Sequence, residues 1–350
     1  MRGIIVICSF IAVGIVTAVY IAFGLNERPA FEAKDNEVEG LNEKYVIRFS
    51  HVVAKNTPKD QAATYFAQLV KEKTDGWVEV QVTPNGALYK AQEEFEALRK
   101  NEIQMIAPAF AEVTVHDPKW LVMDLPFLFE NDKEVAQAFE GEMGRLLFDS
   151  IERQGYKAIA FWDNGFKQIT NNIKPIIYPI DLEGMKIRIM PSEVLKNTYE
   201  LFGATPTVHP FNEVYSVLND GTVDGTENTL SNIYSKGFHR KQKYMTISNH
   251  NYLGYVVLVN PQFWESLPMN YQASIQEAME EATDWLRNNA QTLNDEMLSK
   301  IESSNYLEVH YQTEGEKDVW RDAMHPIYRE YRPLIGEALM AEVEKIQAGH

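Results

Sequence analysis

Cysteine is all but missing from this chain of 350 residues, and the only one, Cys8, lies in an apolar run at the N-terminus. A form cleaved after that run would contain none, which excludes disulfides, a thiol nucleophile and thiolate metal sites. Positive charge is scarce too. The 33 Lys and Arg are outnumbered by 50 Asp and Glu, for a formal net charge of -17, and a phosphate backbone needs a basic stripe, so nucleic acid is excluded as a partner. Any anionic ligand must then meet a local positive island in an acidic protein. Catalytic signatures are missing as well: there is no His-Glu-x-x-His, no Gly-x-Ser-x-Gly, no Walker loop and no Gly-x-Gly-x-x-Gly. Asp220-Gly-Thr-Val-Asp224-Gly225 lacks the alternating acids and distal glutamate of a calcium loop and reads as a helix stop with a turn. No catalytic residue, metal or cofactor is expected.

What remains is a globular balance of 45% apolar and 24% charged residues, with length enough for two lobes that each bury a core. The N-terminus opens Met1-Arg2, runs apolar from Gly3 to Leu25, and turns acidic and polar to Gly40. That is the basic start and apolar middle of a secretory signal, and Ala22-Phe-Gly24 would satisfy the small-residue rule for cleavage. The run is also just long enough to cross a bilayer, so an uncleaved anchor competes with the signal. Cys8, preceded by Ile-Val-Ile-type residues and close to the start, is a poor lipid attachment site. Either reading puts the bulk of the chain outside the cytoplasm.

Beyond the tether, Lys44 to Val53 is rich in β-branched and aromatic residues and predicts a strand. Helical spacing of Ala63, Phe66, Ala67 and Val70 predicts a helix over 60–74, ended by Asp75-Gly76. A strand over 77–83, a helix over 92–100, a helix over 134–154 and a strand over 156–162 follow, an alternation that points to an α/β sheet. Asp163-Asn-Gly165 reads as a sharp turn and the first crossing into a second lobe, with Tyr252 to Val259 carrying the chain back. Residues 268–303 hold no glycine and no internal proline, and Ile275, Ala278, Ala282, Leu286, Ala290, Leu293 and Met297 fall on or near one face. They predict a helix far longer than the globular mean.

Residues 184–232 carry the strongest candidate site. Gly184-Met-Lys-Ile-Arg188-Ile-Met-Pro-Ser192 reads as a strand in which alternation puts Lys186 and Arg188 on one face. Taken alone, such an arginine is most often a solvated strand charge. Asn228, in Asp224-Gly-Thr-Glu-Asn228, stands in a turn context where asparagine ordinarily serves the backbone. Phe211, just before a helix over 212–218, is ordinarily a staple or core residue. Lys167 could be a plain surface lysine, and His51 in Phe49-Ser-His51-Val and His250 in Ser248-Asn-His250-Asn-Tyr252 could be hydrogen-bonded structural residues.

That succession of blocks resembles the solute-binding proteins of tripartite ATP-independent periplasmic (TRAP) transporters, over roughly residues 44–331. The resemblance implies a two-lobed α/β periplasmic binding protein, type II-like, with hinge strands and a long helix spanning both lobes. It implies residues 1–40 as signal or anchor plus tether, lobe I over 41–164 and 254–293, and lobe II over 165–253 and 294–350. It implies further that Arg188 clamps a ligand carboxylate, a role suited to its planar fork, that Asn228 adds a polar contact and that Phe211 forms an apolar wall. Where several members have arginine, this chain has Lys167, as in the branch that handles C4-dicarboxylates, and a second cation is what a diacid needs. The blocks around His51, His250 and Tyr252 are similar to that DctP-like branch as well. Glu93 is a further pocket candidate, with Lys55, Tyr89 and Glu94 beside it. The implied function is carriage of succinate, malate, fumarate or a larger sugar acid to a small and a large TRAP membrane subunit. An exported enzyme using His51 or His250 with a carboxylate, or a protein presenting its ligand to a membrane sensor, are the competing classes.

Overall fold

A computed structural model gives the structure of residues 44–349. The expected signal or anchor, and Cys8 with it, lie outside the described residues. Among the described residues no helix is long and apolar enough to cross a membrane.

Ten strands are present among the described residues: β1 (Tyr45–Ser50), β2 (Val78–Thr83), β3 (Met105–Ile106), β4 (Lys157–Asn171), β5 (Lys186–Ile189), β6 (Thr205–Val208), β7 (Gly225–Thr229), β8 (Tyr244–Ile247), β9 (Tyr252–Val259) and β10 (Glu308–Tyr311). They follow the order β2-β1-β3-β9-β4-β7-β5-β6, with β8 and β10 branching from β4. β1 runs parallel to β2 and β3, and β5 parallel to β6 and β7, whereas β9 and β4 are antiparallel to each other. The fold is α/β and two-lobed, as expected.

β4 is the element that joins the lobes. Residues 157–166 pair with β9, and residues 167–171 pair with β7 and β8. All of β9 and nearly all of β4 are buried, which explains why Tyr252 to Val259 reads as an unbroken apolar run rather than an alternation. The sharp turn expected at Asp163-Asn-Gly165 is absent. The chain stays extended there, with a register shift against β9 between Asp163 and Gly165 that absorbs the change of partner strands. Gly165 has φ +138, and a Cβ at that position would come within 3.1 Å of Asn294 Nδ2. Asn294 Nδ2 in turn donates to the Asn164 carbonyl at 2.6 Å, while its Oδ1 accepts from the Ser231 amide at 2.9 Å.

Asn294 belongs to the long helix, Met269–Ser303, 35 residues and so roughly 50 Å in length. Ile275, Ala278, Ala282, Leu286 and Ala290 form its buried stripe at spacings of three and four. It packs on the Pro58–Lys73 helix in one lobe, along β4, and on the Leu230–Ser235 helix in the other. Trp162 Nε1 donates to Thr283 Oγ1 at 3.0 Å across that contact.

One expectation changes. The single helix over 134–154 is two, Asp132–Glu140 and Glu142–Glu152, because Gly141 takes an extended conformation with ψ -161. The C-terminal helix Glu337–Gln347 buries Leu339, Met340 and Val343 and packs on those same two helices.

Candidate functional site

Arg188 stands on β5, whose two edges pair with β6 and β7, and its side chain is fully buried on the face of the sheet that carries the cavity. The solvated strand charge that the pattern suggests is therefore not what the structure has: Lys186 is exposed and Arg188 is not. Nε and Nη2 donate to the His209 carbonyl at 3.0 and 2.7 Å, which fixes the plane of the guanidinium. Nη1 is buried and has no hydrogen-bond partner. Burial pulls the Arg188 pKa down to about 10, against the opposing pull of Glu112 and Glu227, so it stays cationic at neutral pH.

The unpartnered donor belongs to a cavity of about 30 Å³, which holds little more than a water molecule. Asn228 and Phe211 line it as well. Asn228 stands on a strand, β7, not in the expected turn. Its Oδ1 accepts from Asn232 Nδ2 at 2.8 Å and from the Thr229 amide at 3.0 Å, which leaves Nδ2 as the group to offer a ligand. Phe211 packs edge-on to Phe238 at 6.1 Å and keeps the Lys236 ammonium 5.1 Å above its ring.

A second buried cation reaches this cavity, and it is Lys59, not Lys167. Lys59 lies in the first turn of the Pro58–Lys73 helix, with Nζ donating to the Ala107 carbonyl at 2.7 Å and resting 3.7 Å above the Tyr255 ring. Burial lowers its pKa to about 7, opposed by Glu94 and Glu112. Both of those carboxyls line the cavity too, and burial raises Glu94 to about 8 and Glu112 to about 7. A lysine in a first turn opposes the helix dipole, and that local misfit was the signal available in sequence.

Lys167 is buried but committed elsewhere. Its Nζ donates to Glu227 Oε1 at 2.9 Å and lies 3.9 Å from Asp124 Oδ1. His250 Nε2 sits 2.9 Å from Glu227 Oε2, its Nδ1 sits 2.7 Å from Ser248 Oγ, and Tyr199 Oη donates to Glu227 at 3.2 Å. Burial alone would raise the Glu227 pKa, but Lys167 and His250 outweigh it and hold the carboxyl at about 2. Neither Lys167 nor His250 lines the cavity. Ser248, His250 and Glu227 have the composition of a hydrolytic triad, yet Ser248 is fully buried and Nδ1 rather than Nε2 faces it.

The other candidates fall outside the cavity lining. His51 is fully buried with Nε2 3.3 Å from Asp60 Oδ1, and burial lowers its pKa, so it adds no cation, although Val52 and Val53 beside it do line the cavity. Tyr252 Oη donates to Asp163 Oδ1 at 2.7 Å amid aromatic neighbours. Glu93 is exposed and accepts from the Lys90 amide at 2.9 Å as a helix cap, while Glu94, one residue on, occupies the buried face with Ala91, Phe95 and Leu98. Lys55 is exposed, and Tyr89 Oη donates to Glu102 at 3.0 Å.

Known proteins resemble the chain over most of its length. Residues 49–333 match the model of the bacterial extracellular solute-binding protein family 7. The chain belongs to that family. The C4-dicarboxylate-binding protein DctB of Bacillus subtilis is 40% identical over 347 residues, covering 99% of both chains. The C4-dicarboxylate-binding periplasmic protein DctP of Rhodobacter capsulatus is 40% identical over 314 residues, 89% of this chain and 93% of the relative. Among solved structures, a TRAP periplasmic solute-binding protein from Sulfurospirillum deleyianum with bound succinate superposes with a TM-score of 0.83 at 41% identity, covering 87% of this chain and 99% of that one. The resemblance to TRAP solute-binding proteins stands, and the family is one of binding proteins rather than of enzymes.

Proposed function

We propose that this chain is the extracytoplasmic receptor of a TRAP transporter and closes on a C4-dicarboxylate such as succinate, malate or fumarate. The observation that carries the reading is the pair of buried cations with spare donors in one cavity, Arg188 from one lobe and Lys59 from the other. A diacid offers each its own carboxylate, and a charge-assisted bond in a dry site is about twice as strong as a neutral one. Asn228 Nδ2 adds a neutral donor and Phe211 an apolar wall. Relatives named for C4-dicarboxylate binding, and a neighbour holding succinate, support the same ligand class.

In this account Lys167 and His250 support the pocket through Glu227, and His51, Tyr252 and Glu93 do not touch ligand. Lobe I comprises 41–164 and 254–293, with the Glu337–Gln347 helix attached to it, and lobe II comprises 165–253 and the rest of the C-terminal segment. Residues 1–40 export the chain as a cleaved signal or hold it to the membrane, and the closed form is read by a small and a large membrane subunit, since ligand that binds only one conformation shifts the population towards it.

Calorimetric titration of the purified protein with succinate, malate and fumarate, with acetate and a sugar acid as controls, tests the reading. Saturable binding of a C4 acid without its conversion is expected. Silence toward all three C4 acids, or turnover of any of them, would overturn it.

A further inference from the structure

Glu94 and Glu112 are the feature of this cavity that a receptor for a dianion leaves unexplained. Both line it together with Lys59 and Arg188, and the rest of the wall is largely apolar, with Val53, Phe211 and Leu253 among its members. Glu94 comes from the Ala91–Arg99 helix and accepts from Ser50 Oγ at 2.7 Å. Glu112 comes from the short Phe110–Val113 helix, and the charges that act on its carboxyl are those of Arg188, Lys59 and Asp124. Fully ionised, two cations and two carboxylates would cancel, and burial shifts Glu94, Glu112 and Lys59 each toward its neutral form, so the free cluster is only partly ionised near neutral pH. A dianion brings two more negative charges into the same enclosed space, where like charges repel strongly because little water screens them.

We propose that the C4-dicarboxylate enters this pocket together with protons, taken up by the cluster of Glu94, Glu112 and Lys59, so that the complex carries neutral glutamic acids beside the two cations and the dianion. The inference rests on the C4-dicarboxylate reading of the same site. Atoms and charge balance simply: each proton comes from solvent, adds to a carboxylate oxygen or to the lysine nitrogen, and offsets one ligand charge. The protonated glutamic acids also gain a donor, which a carboxylate ligand accepts and a neutral ligand does not require.

The surroundings place the cluster near its titration range. Burial raises both carboxyls, to about 8 and about 7, and lowers Lys59 to about 7. Glu94 faces Lys59 and Glu112, while Glu112 faces Arg188, Lys59 and Asp124, itself raised by burial to about 6. Lys236 acts on Lys59 from the Phe211 side, and the His51 and Asp60 pair lies behind it. The Tyr255 phenol beneath Lys59 is pushed up by burial and stays protonated. Because these groups interact, the linked quantity is the proton count of the cluster rather than the pKa of one residue.

If the complex holds more protons than the free protein, affinity is highest at low pH and falls as pH rises, by up to about tenfold per pH unit for each proton taken up. Titration of succinate into the protein from about pH 7 to about pH 9, in buffers of different ionisation enthalpy, reads the proton number, and the same series corrects for the ligand's second carboxyl, which its first charge raises above the ordinary value near 4. Uptake of about one proton or more, with affinity falling across the range, is the expected result. Glu94→Gln and Glu112→Gln should each reduce the proton uptake and flatten the pH dependence of affinity. Tight binding with no proton exchange and constant affinity would overturn the proposal and leave the C4-dicarboxylate reading intact. Absence of C4 binding at every pH would overturn both. The buffer dependence of the unmutated protein decides the matter even if a variant does not fold.

Discussion

Arg188 and Lys167 are both fully buried cations within the second lobe's strands, and they differ in one respect that separates binding from scaffolding. Lys167 is matched by Glu227 at 2.9 Å, and Glu227 is closed off further by His250 and Tyr199. Arg188 is held by a neutral carbonyl on two nitrogens and keeps Nη1 free inside a cavity. A buried charge without a partner is costly enough that a folded protein keeps one only where something else completes it. In the proposed reading the free donor meets the ligand, and the satisfied network beside it keeps the strands that carry it in register.

Substitutions at the two cations should therefore fail in different ways. Arg188→Ala should weaken succinate binding by about 3–5 kcal/mol, since it leaves a desolvated carboxylate unpaired. Glu227→Ala should instead strand Lys167 and cost about 3–5 kcal/mol of folding free energy, read as a fall in melting temperature on the order of 10 °C. If Arg188→Ala melted the protein and spared binding, the assignment of roles would be reversed. Lys59→Met keeps length and apolar stem but removes the ammonium, and a loss of about 1.5–3 kcal/mol in succinate affinity is expected for a charged hydrogen bond. A titration showing no change there would take Lys59 out of the pocket.

pH separates the same two regions with opposite slopes. The folded pKa of Glu227 is depressed to about 2 from 4.5, so its stabilisation is present above 4.5 and is lost as pH falls toward about 2. Glu94 is raised to about 8 from 4.5, so the folded state holds the extra proton and its contribution to stability diminishes as pH rises through that interval. Denaturant melts across pH should show Glu227→Gln flattening the acid limb and Glu94→Gln flattening the neutral to alkaline limb. The smallest effect is expected at Glu93→Gln, within about 0.5 kcal/mol in both stability and affinity. A large loss of binding in that variant would contradict the helix phase that puts Glu94, and not Glu93, on the buried face.

How much of this was legible in the sequence depended on whether the signal was local. The Met269–Ser303 helix was visible because an apolar stripe and the absence of breakers both act along the chain. Arg188 and Asn228 were singled out through their motif blocks and both line the cavity, although the alternation around Arg188 suggested a solvated charge where the side chain is in fact fully buried. Lys167 and His250 were drawn toward the ligand because the carboxylate that claims them, Glu227, lies 60 and 23 residues away and meets them only once β4 and β7 pair. Lys59 was passed over because the sequence shows only its misfit with the helix dipole, while its place in the cavity depends on how the start of its helix meets Ala107 and Tyr255. The exchange of Glu93 for Glu94 was avoidable, since Ala91, Glu94, Phe95 and Leu98 share the helical stripe. The turn expected at Asp163-Asn-Gly165 reflects the same limit: residues that usually reverse a chain here let a long strand change partners.

A crystal structure of the protein with succinate would decide between the two cations. One ligand carboxylate is expected within hydrogen-bonding distance of Arg188 Nη1 and the other within reach of Lys59 Nζ, with the Lys167 to Glu227 pair intact. A ligand seated against Lys167, or an Arg188 turned away from it, would reverse the assignment of roles.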